Sequence, residues 1–211
     1  MDKTADYWDA YYADKEKPAV PSQFASFILN EFRHKSRFVD IGCGDGRDSM
    51  FFAHFNKSVL GIDGSTSAVE MCRATAGRRD LSNASFKTLD MNNAALCEQF
   101  LEEYATGWTE AIIYARFFLH AIDEKAQDNF LKLAAALVGK DGHVCIEFRT
   151  PRDEFQTKVT SAHYRRYVDP LDLAENARAH GLSCIYSVEG FGFAKYRSDD
   201  AYVARMIMAK T

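Results

Sequence analysis

Phe38-Val-Asp-Ile-Gly42-Cys-Gly44-Asp-Gly46-Arg-Asp48 is an apolar run that closes in three alternating glycines and gives way to a helix-forming stretch. Glycine lets a backbone turn tightly and approach a ligand closely, and the helix start that follows offers free N–H groups. A dinucleotide fingerprint, GxGxxG, would set its third glycine at position 47, where this chain has Arg47; the spacing is GxGxG, with Asp40 ahead of it. A bare strand-to-helix turn would need the same glycines, so the neighbouring strand ends decide between a turn and a ligand site.

Outward from this stretch, apolar runs alternate with helical periods. Strands are expected at Arg37–Ile41, Ser58–Ile62, Ala84–Thr88, Glu110–Tyr114 and His143–Phe148, with helices at Asp48–Phe55, Ser65–Thr75, Ala94–Tyr104 and Glu124–Leu137. Five strands separated by helices imply a parallel, doubly wound α/β sheet. Upstream, Ser22 is placed to cap a helix that carries Phe24, Phe27, Ile28 and Phe32 on one face. Downstream, Arg149–Asp169 is polar and basic without a period, a helix starts near Pro170, and two strands follow at Ser183–Glu189 and Tyr202–Ala209. The link between those two strands is too short for a helical crossover, so they pair antiparallel at one edge, making seven strands, mostly parallel with an antiparallel last one.

The next two strand ends carry ligand-type residues as well. Asp63, followed by Gly64, lies where a carboxylate accepts both hydroxyls of a ribose, and Asp90 with Met91 suits an adenine amino group and ring. In register with the glycines, these acids outweigh the bare-turn reading.

The set VDIGCGDGRD, GIDGS, LDMN and IIYARFFLHAI resembles the class I methyltransferases that depend on S-adenosylmethionine (SAM), over roughly residues 36 to 148. The resemblance implies a Rossmann-like fold with SAM bound by Asp40, Gly42, Gly44, Gly46, Arg47, Asp63, Gly64, Asp90, Met91 and Ala115, and S-adenosylhomocysteine as product. It implies one domain: an N-terminal cap and helix at 1–35, the SAM-binding core at 36–148, a substrate-binding insert at 149–169, and a C-terminal helix and strand pair at 170–211. YWDAYYADKE, PSQFASF, EFRTP and HYRRYVD are further similar to a small bacterial branch that methylates oxygen in surface-polysaccharide and phosphonate or phosphoramidate pathways. Tyr11, with Tyr7 and Tyr12, is expected to fold over the methionyl end as a lid, a simple hydrophobic anchor being the other reading.

The totals set limits. At 211 residues and 47% hydrophobic, the chain can bury one sizeable core, and a formal charge of −4 argues against a whole-surface nucleic-acid binder. Five cysteines without a CxxC pair or a Cys/His cluster suggest neither zinc nor a disulfide framework, so no metal is expected and a cytoplasmic setting is. The N-terminus lacks an apolar signal core, and no run reaches the ~20 apolar residues of a membrane span. A monomer and a homodimer are both open.

For the chemistry, transfer from a sulfonium needs alignment more than a protein nucleophile. His120 is the candidate base if the acceptor is protonated, and Arg116, at the mouth of a strand, is its companion. A small anionic acceptor is expected to meet Arg116, Arg149, His163, Tyr164, Arg165 and Arg166, with Lys195 as a later addition. The competing reading is an ordinary solvated basic loop with Glu147 or Asp153 as partners. A nicotinamide oxidoreductase and a non-catalytic SAM binder are the rivals from other classes.

Overall fold

A computed structural model describes residues 20–104, 107–108, 110–156, 164–196 and 198–211. Tyr7, Tyr11, Tyr12, Lys158 and His163 lie outside the described residues.

Helix α1 (Gln23–Glu31) begins at Ser22, whose hydroxyl accepts from the Ala25 N–H at 2.9 Å. There follow β1 (Arg37–Ile41), α2 (Arg47–His54), β2 (Ser58–Asp63), α3 (Thr66–Arg78), β3 (Ala84–Thr88), α4 (Ala94–Tyr104), β4 (Ile112–Arg116), α5 (Glu124–Leu137), β5 (His143–Arg149), α6 (Pro170–Ala179) and β6 (Leu182–Gly190). A short hairpin, β7 (Lys195–Tyr196) and β8 (Asp199–Asp200), precedes β9 (Val203–Lys210). Ser65, Asp123 and Asp169 cap α3, α5 and α6, each accepting from a backbone N–H inside the first turn.

The seven strands lie in the order β3-β2-β1-β4-β5-β9-β6. All pair in parallel except β9, which runs antiparallel to both β5 and β6. The expected antiparallel partners are therefore present, but the last strand is inserted between β5 and β6, and β6 holds the edge. The β7–β8 hairpin has no counterpart in the sequence reading, because two-residue strands carry no period.

Strand alternation sorts the core into two layers. Phe38, Ile112, Tyr114 and Cys145 face the side of α1 and α2, where they meet Phe24, Ile28 and Phe52. Val39, Ile113, Ala115, Ile146 and Phe148 face α5 and α6 through Phe130, Leu133 and Leu173. Each fully buried Phe or Leu contributes on the order of 1.5–3 kcal/mol. With both faces covered, β1, β4 and β5 are buried nearly throughout.

Chain order reverses between β1 and β4, the place where open α/β sheets leave a crevice at the carboxyl ends of their strands. Gly42 and Arg116 follow from or end those two strands.

Candidate active site

Gly42, Gly44 and Gly46 adopt φ of 73°, 55° and 73°, a left-handed geometry that side chains rarely take. A Cβ at Gly42 would lie 2.5 Å from the Phe118 ring, and one at Gly46 would lie 2.7 Å from the Cys72 sulfur. The loop thus needs glycine for both conformation and space. Its backbone is tied to β2: the Gly42 and Cys43 N–H groups donate to the Ile62 carbonyl, and Gly44 N–H donates to Asp63 Oδ2 at 2.8 Å. Asp63 Oδ1 accepts from Ser65 N–H at 2.9 Å, so one half-buried carboxylate fastens the glycine loop to the start of α3. Gly64 has open space around it, its nearest neighbour being the Leu89 carbonyl at 3.8 Å. Asp90 is exposed and accepts from Asn92 through backbone and side chain, while buried Met91 offers its carbonyl to Asn129 at 2.8 Å. Ala115 is buried at the end of β4.

Two carboxylates beneath the loop behave oppositely. Asp40 is fully enclosed; burial raises its pKa to about 7, against the lowering effect of a 2.5 Å hydrogen bond from the Ser49 hydroxyl, with the charges of Asp48 and Asp63 adding to the rise. Asp48 is also buried, which alone would raise it, yet its pKa falls because Arg47 neutralises it and donors crowd it. Those donors are Arg47 at 3.0 and 3.2 Å, Ser22 N–H at 2.8 Å, the Ser22 hydroxyl at 2.7 Å and the Tyr114 hydroxyl at 2.9 Å. Arg47, expected at the cofactor, is therefore turned onto Asp48. Sequence reading missed the Ser22–Asp48–Tyr114 knot, although an acid in the first turn of the helix after the glycines is a visible cue.

On the other flank of the crevice, Glu147 bridges two arginines: Oε1 accepts from Arg116 Nε and Oε2 from Arg205 Nε, both at 2.7 Å. Arg205 also donates to the Phe193 carbonyl at 2.8 Å and lies against the rings of Phe24 and Phe193. Arg149, expected to meet the acceptor, is instead buried and held by two acids, Asp153 at 2.5 Å and Asp199 at 3.0 Å. Burying a guanidinium without such partners would cost several kcal/mol, which explains the pairing. Asp153, a partner the solvated-loop reading named, is present, but Arg149 is buried rather than solvated, and Asp199, fifty positions away, is a second partner.

Arg116 differs. Its side chain keeps 16% exposure, Glu147 engages only Nε, and its two terminal nitrogens have no hydrogen-bond partner among the described residues. Its guanidinium lies 4.3 Å from the centroid of Phe117, and that of Arg149 lies 5.2 Å from the same ring. Phe117 itself has φ of 53°, an outlier for a bulky residue, stabilised by its N–H donating to the Glu147 carbonyl at 2.8 Å. The kink sends Phe118 onto Gly42 and Phe117 toward the β7–β8 side, where it packs with Ala194, Ala201 and Val203.

His120 is buried in the turn after β4, its ring 5.2 Å from Phe117 in edge contact, and its carbonyl accepts from Arg166 N–H at 2.9 Å. Arg166 donates to the Gln127 amide oxygen at 2.6 Å and reaches the Leu119 carbonyl, so its charge meets no carboxylate among the described residues. Tyr164 is half exposed, Arg165 is partly buried, and Lys195 sits exposed in the hairpin. No helix of the described residues is long and apolar enough to cross a membrane.

Residues 38–142 match the methyltransferase domain family. A stretch of 55 residues is 27% identical to a 2-heptyl-1-hydroxyquinolin-4(1H)-one methyltransferase of Mycobacteroides abscessus, covering 26% of this chain and 24% of that protein. Among solved structures, a SAM-dependent methyltransferase from Anabaena variabilis aligns over 98% of this chain and 93% of its own, with TM-score 0.72 and 18% identity. The CcbJ methyltransferase of Streptomyces caelestis aligns over 99% and 98%, with TM-score 0.71 and 14% identity. The [4+2]-cyclase SpnF aligns over 99% and 96%, with TM-score 0.72 and 14% identity. Likeness at these identities is one of fold, and with a cyclase among the neighbours the reaction has to be argued from the site.

Proposed function

We propose that the protein is a SAM-dependent methyltransferase acting on a small acidic acceptor, a reading supported by the match of residues 38–142 to the methyltransferase domain family. O-methylation of a phosphonate, phosphoramidate or sugar-linked acid is the reading taken forward. Five free thiols support a cytoplasmic setting.

The residues fit the cofactor. The left-handed glycine loop brings bare backbone to the crevice, and the start of α2 adds N–H groups. Asp63 Oδ2 accepts from Gly44 N–H and Oδ1 from Ser65 N–H, which sets this carboxylate between the glycine loop and α3 as the candidate for the ribose hydroxyls. Asp90 and Met91 are the candidates for the adenine, and Asp40 for the cationic methionyl end. SAM supplies a methyl group on a sulfonium and leaves as S-adenosylhomocysteine.

The observation that carries the acidic acceptor is Arg116. Glu147 fixes its Nε, which leaves the planar fork pre-oriented at the carboxyl end of β4 with two nitrogens for an anion. An acceptor oxygen anchored there forms its bond to the methyl carbon as the carbon–sulfur bond breaks, the electron pair staying on sulfur. Such alignment is worth up to about 7–11 kcal/mol of barrier. If the oxygen carries a proton, His120 is the group placed to take it. Arg166 is the second cation assigned to this side, and Arg149 acts through Asp199 rather than by direct contact.

The test is calorimetric titration with SAM and, separately, with NAD(H), followed by screening phosphonates, phosphorylated sugars and carboxylates for S-adenosylhomocysteine release. Micromolar SAM binding with turnover of an acid supports the reading. Binding of NAD(H) alone would turn the search to redox substrates, and SAM binding without turnover of any acid would leave a SAM-binding protein.

A further inference from the structure

The two ion-pair triads at the acceptor side carry opposite net charge. Arg116 and Arg205 share the single carboxylate of Glu147, whereas Arg149 alone faces Asp153 and Asp199. Both are joined through one ring, since Arg116 and Arg149 both lie against Phe117. The pair of triads is therefore polarised about Phe117, positive on the Arg116 side and negative on the Arg149 side.

Within the negative triad the two acids are not equivalent. Asp153 has a partner on each oxygen: Oδ2 accepts from Arg149 and Oδ1 from Tyr202 N–H at 2.8 Å. Asp199 gives Oδ2 to Arg149 at 3.0 Å, but its Oδ1 is buried without a hydrogen-bond partner among the described residues. The side chain of Asp199 is 7% exposed. A buried carboxylate oxygen left unpaired is costly, and native structures keep such groups where a ligand completes them. The Thr150 hydroxyl, next to Arg149 in the chain, is likewise fully buried and unpartnered. The hairpin that presents Asp199 is itself ordered, because Asp200 Oδ1 accepts from Gly192 N–H at 2.7 Å.

We propose that Asp199 Oδ1 is an acceptor-binding atom, and that the methyl acceptor carries an O–H or N–H donor beside its acidic group. Arg116 receives the anionic end and Asp199 the donor end, with Phe117 between them. This rests on the acidic-acceptor reading above and narrows it, since a simple dianion without a donor leaves Asp199 Oδ1 as unsatisfied as before.

The probes are phosphoramidate and methylphosphonate, near-isosteric anions of which only the first carries N–H donors. With the full-length protein and SAM, release of S-adenosylhomocysteine is followed for each, and SAM affinity is measured by calorimetry. The expected result is a preference in kcat/KM for phosphoramidate of about 10–100-fold. In Asp199→Asn the amide oxygen stays on Arg149 and an NH2 group replaces Oδ1, so the preference collapses to near unity while SAM affinity holds. Equal use of both anions by the wild type overturns the Asp199 assignment but leaves the acidic acceptor standing. A preference that survives Asp199→Asn also overturns it. Use of neither anion, with SAM bound normally, overturns this inference, and turnover in the wider screen of phosphorylated sugars and carboxylates then decides whether the acidic acceptor stands. If Asp199→Asn fails to fold, the wild-type preference alone decides.

Discussion

With Asp40 proposed at the cationic methionyl end of SAM, cofactor binding is expected to depend on pH, by an amount that follows from the environment of that residue. Its carboxyl titrates at about 7 in the ligand-free protein, because burial disfavours the charge and the nearby Asp48 and Asp63 reinforce that. SAM brings a sulfonium and an ammonium to the loop two residues downstream, and positive charge there stabilises ionised Asp40. Binding therefore selects the ionised form and releases a proton whenever the free protein is protonated. At pH 6 only about a tenth of the free protein has Asp40 ionised, so SAM affinity falls about tenfold for each pH unit below 7, or about 1.4 kcal/mol. Above pH 8 it levels off. Calorimetry from pH 5.5 to 8.5, in buffers of different ionisation enthalpy, measures both the affinity and the proton count. Asp40→Asn flattens the profile and weakens binding at pH 8. A wild-type affinity that does not change across this range would refute the reasoning. The linkage has a second face. An unfolded chain loses the Asp40 proton near 3.8 and the folded one near 7, so this group favours folding in acid and progressively opposes it between those values, by at most roughly 4 kcal/mol.

Three substitutions probe the rest of the site. Asp63→Ala removes both the ribose acceptor and the tie to Gly44 N–H, and SAM affinity is expected to drop by at least about a hundredfold with the circular dichroism spectrum unchanged. Gly42→Ala meets the Phe118 ring and an unfavourable φ together; a loss of roughly 1–3 kcal/mol in denaturant unfolding is expected, and adding Phe118→Ala restores only the steric part. Arg116→Ala should raise the acceptor KM by more than about tenfold, with Arg116→Lys intermediate and SAM affinity unchanged, because Lys cannot keep the fork that Glu147 orients.

Much of the fold was legible because its elements are local. The ends of β1, β3, α4 and α5 fall where the apolar runs and caps put them, and Ser22 caps α1 as its position suggested. The glycines and Asp63 were legible too, since one turn's conformation and one strand end declare themselves within a few residues. What escaped the sequence depends on distant pairing. Arg149 looked like a surface cation until Asp199 was brought to it, and β9 slots between β5 and β6 for reasons of sheet packing that no local period encodes. The same holds for Asp48, whose meaning lies in Ser22 and Tyr114 on either side of it in the fold. The left-handed Phe117 is a further case, because nothing in its composition announces a kink.

The reversed direction of β9 has a practical corollary for anyone wishing to anchor the molecule. Because it runs against its neighbours, it delivers Thr211 to the end of the sheet away from the glycine loop, where its N–H donates to the Gly181 carbonyl at 3.0 Å. Immobilisation on a sensor chip or a resin through Thr211 leaves the carboxyl ends of the parallel strands, and the crevice there, facing solution.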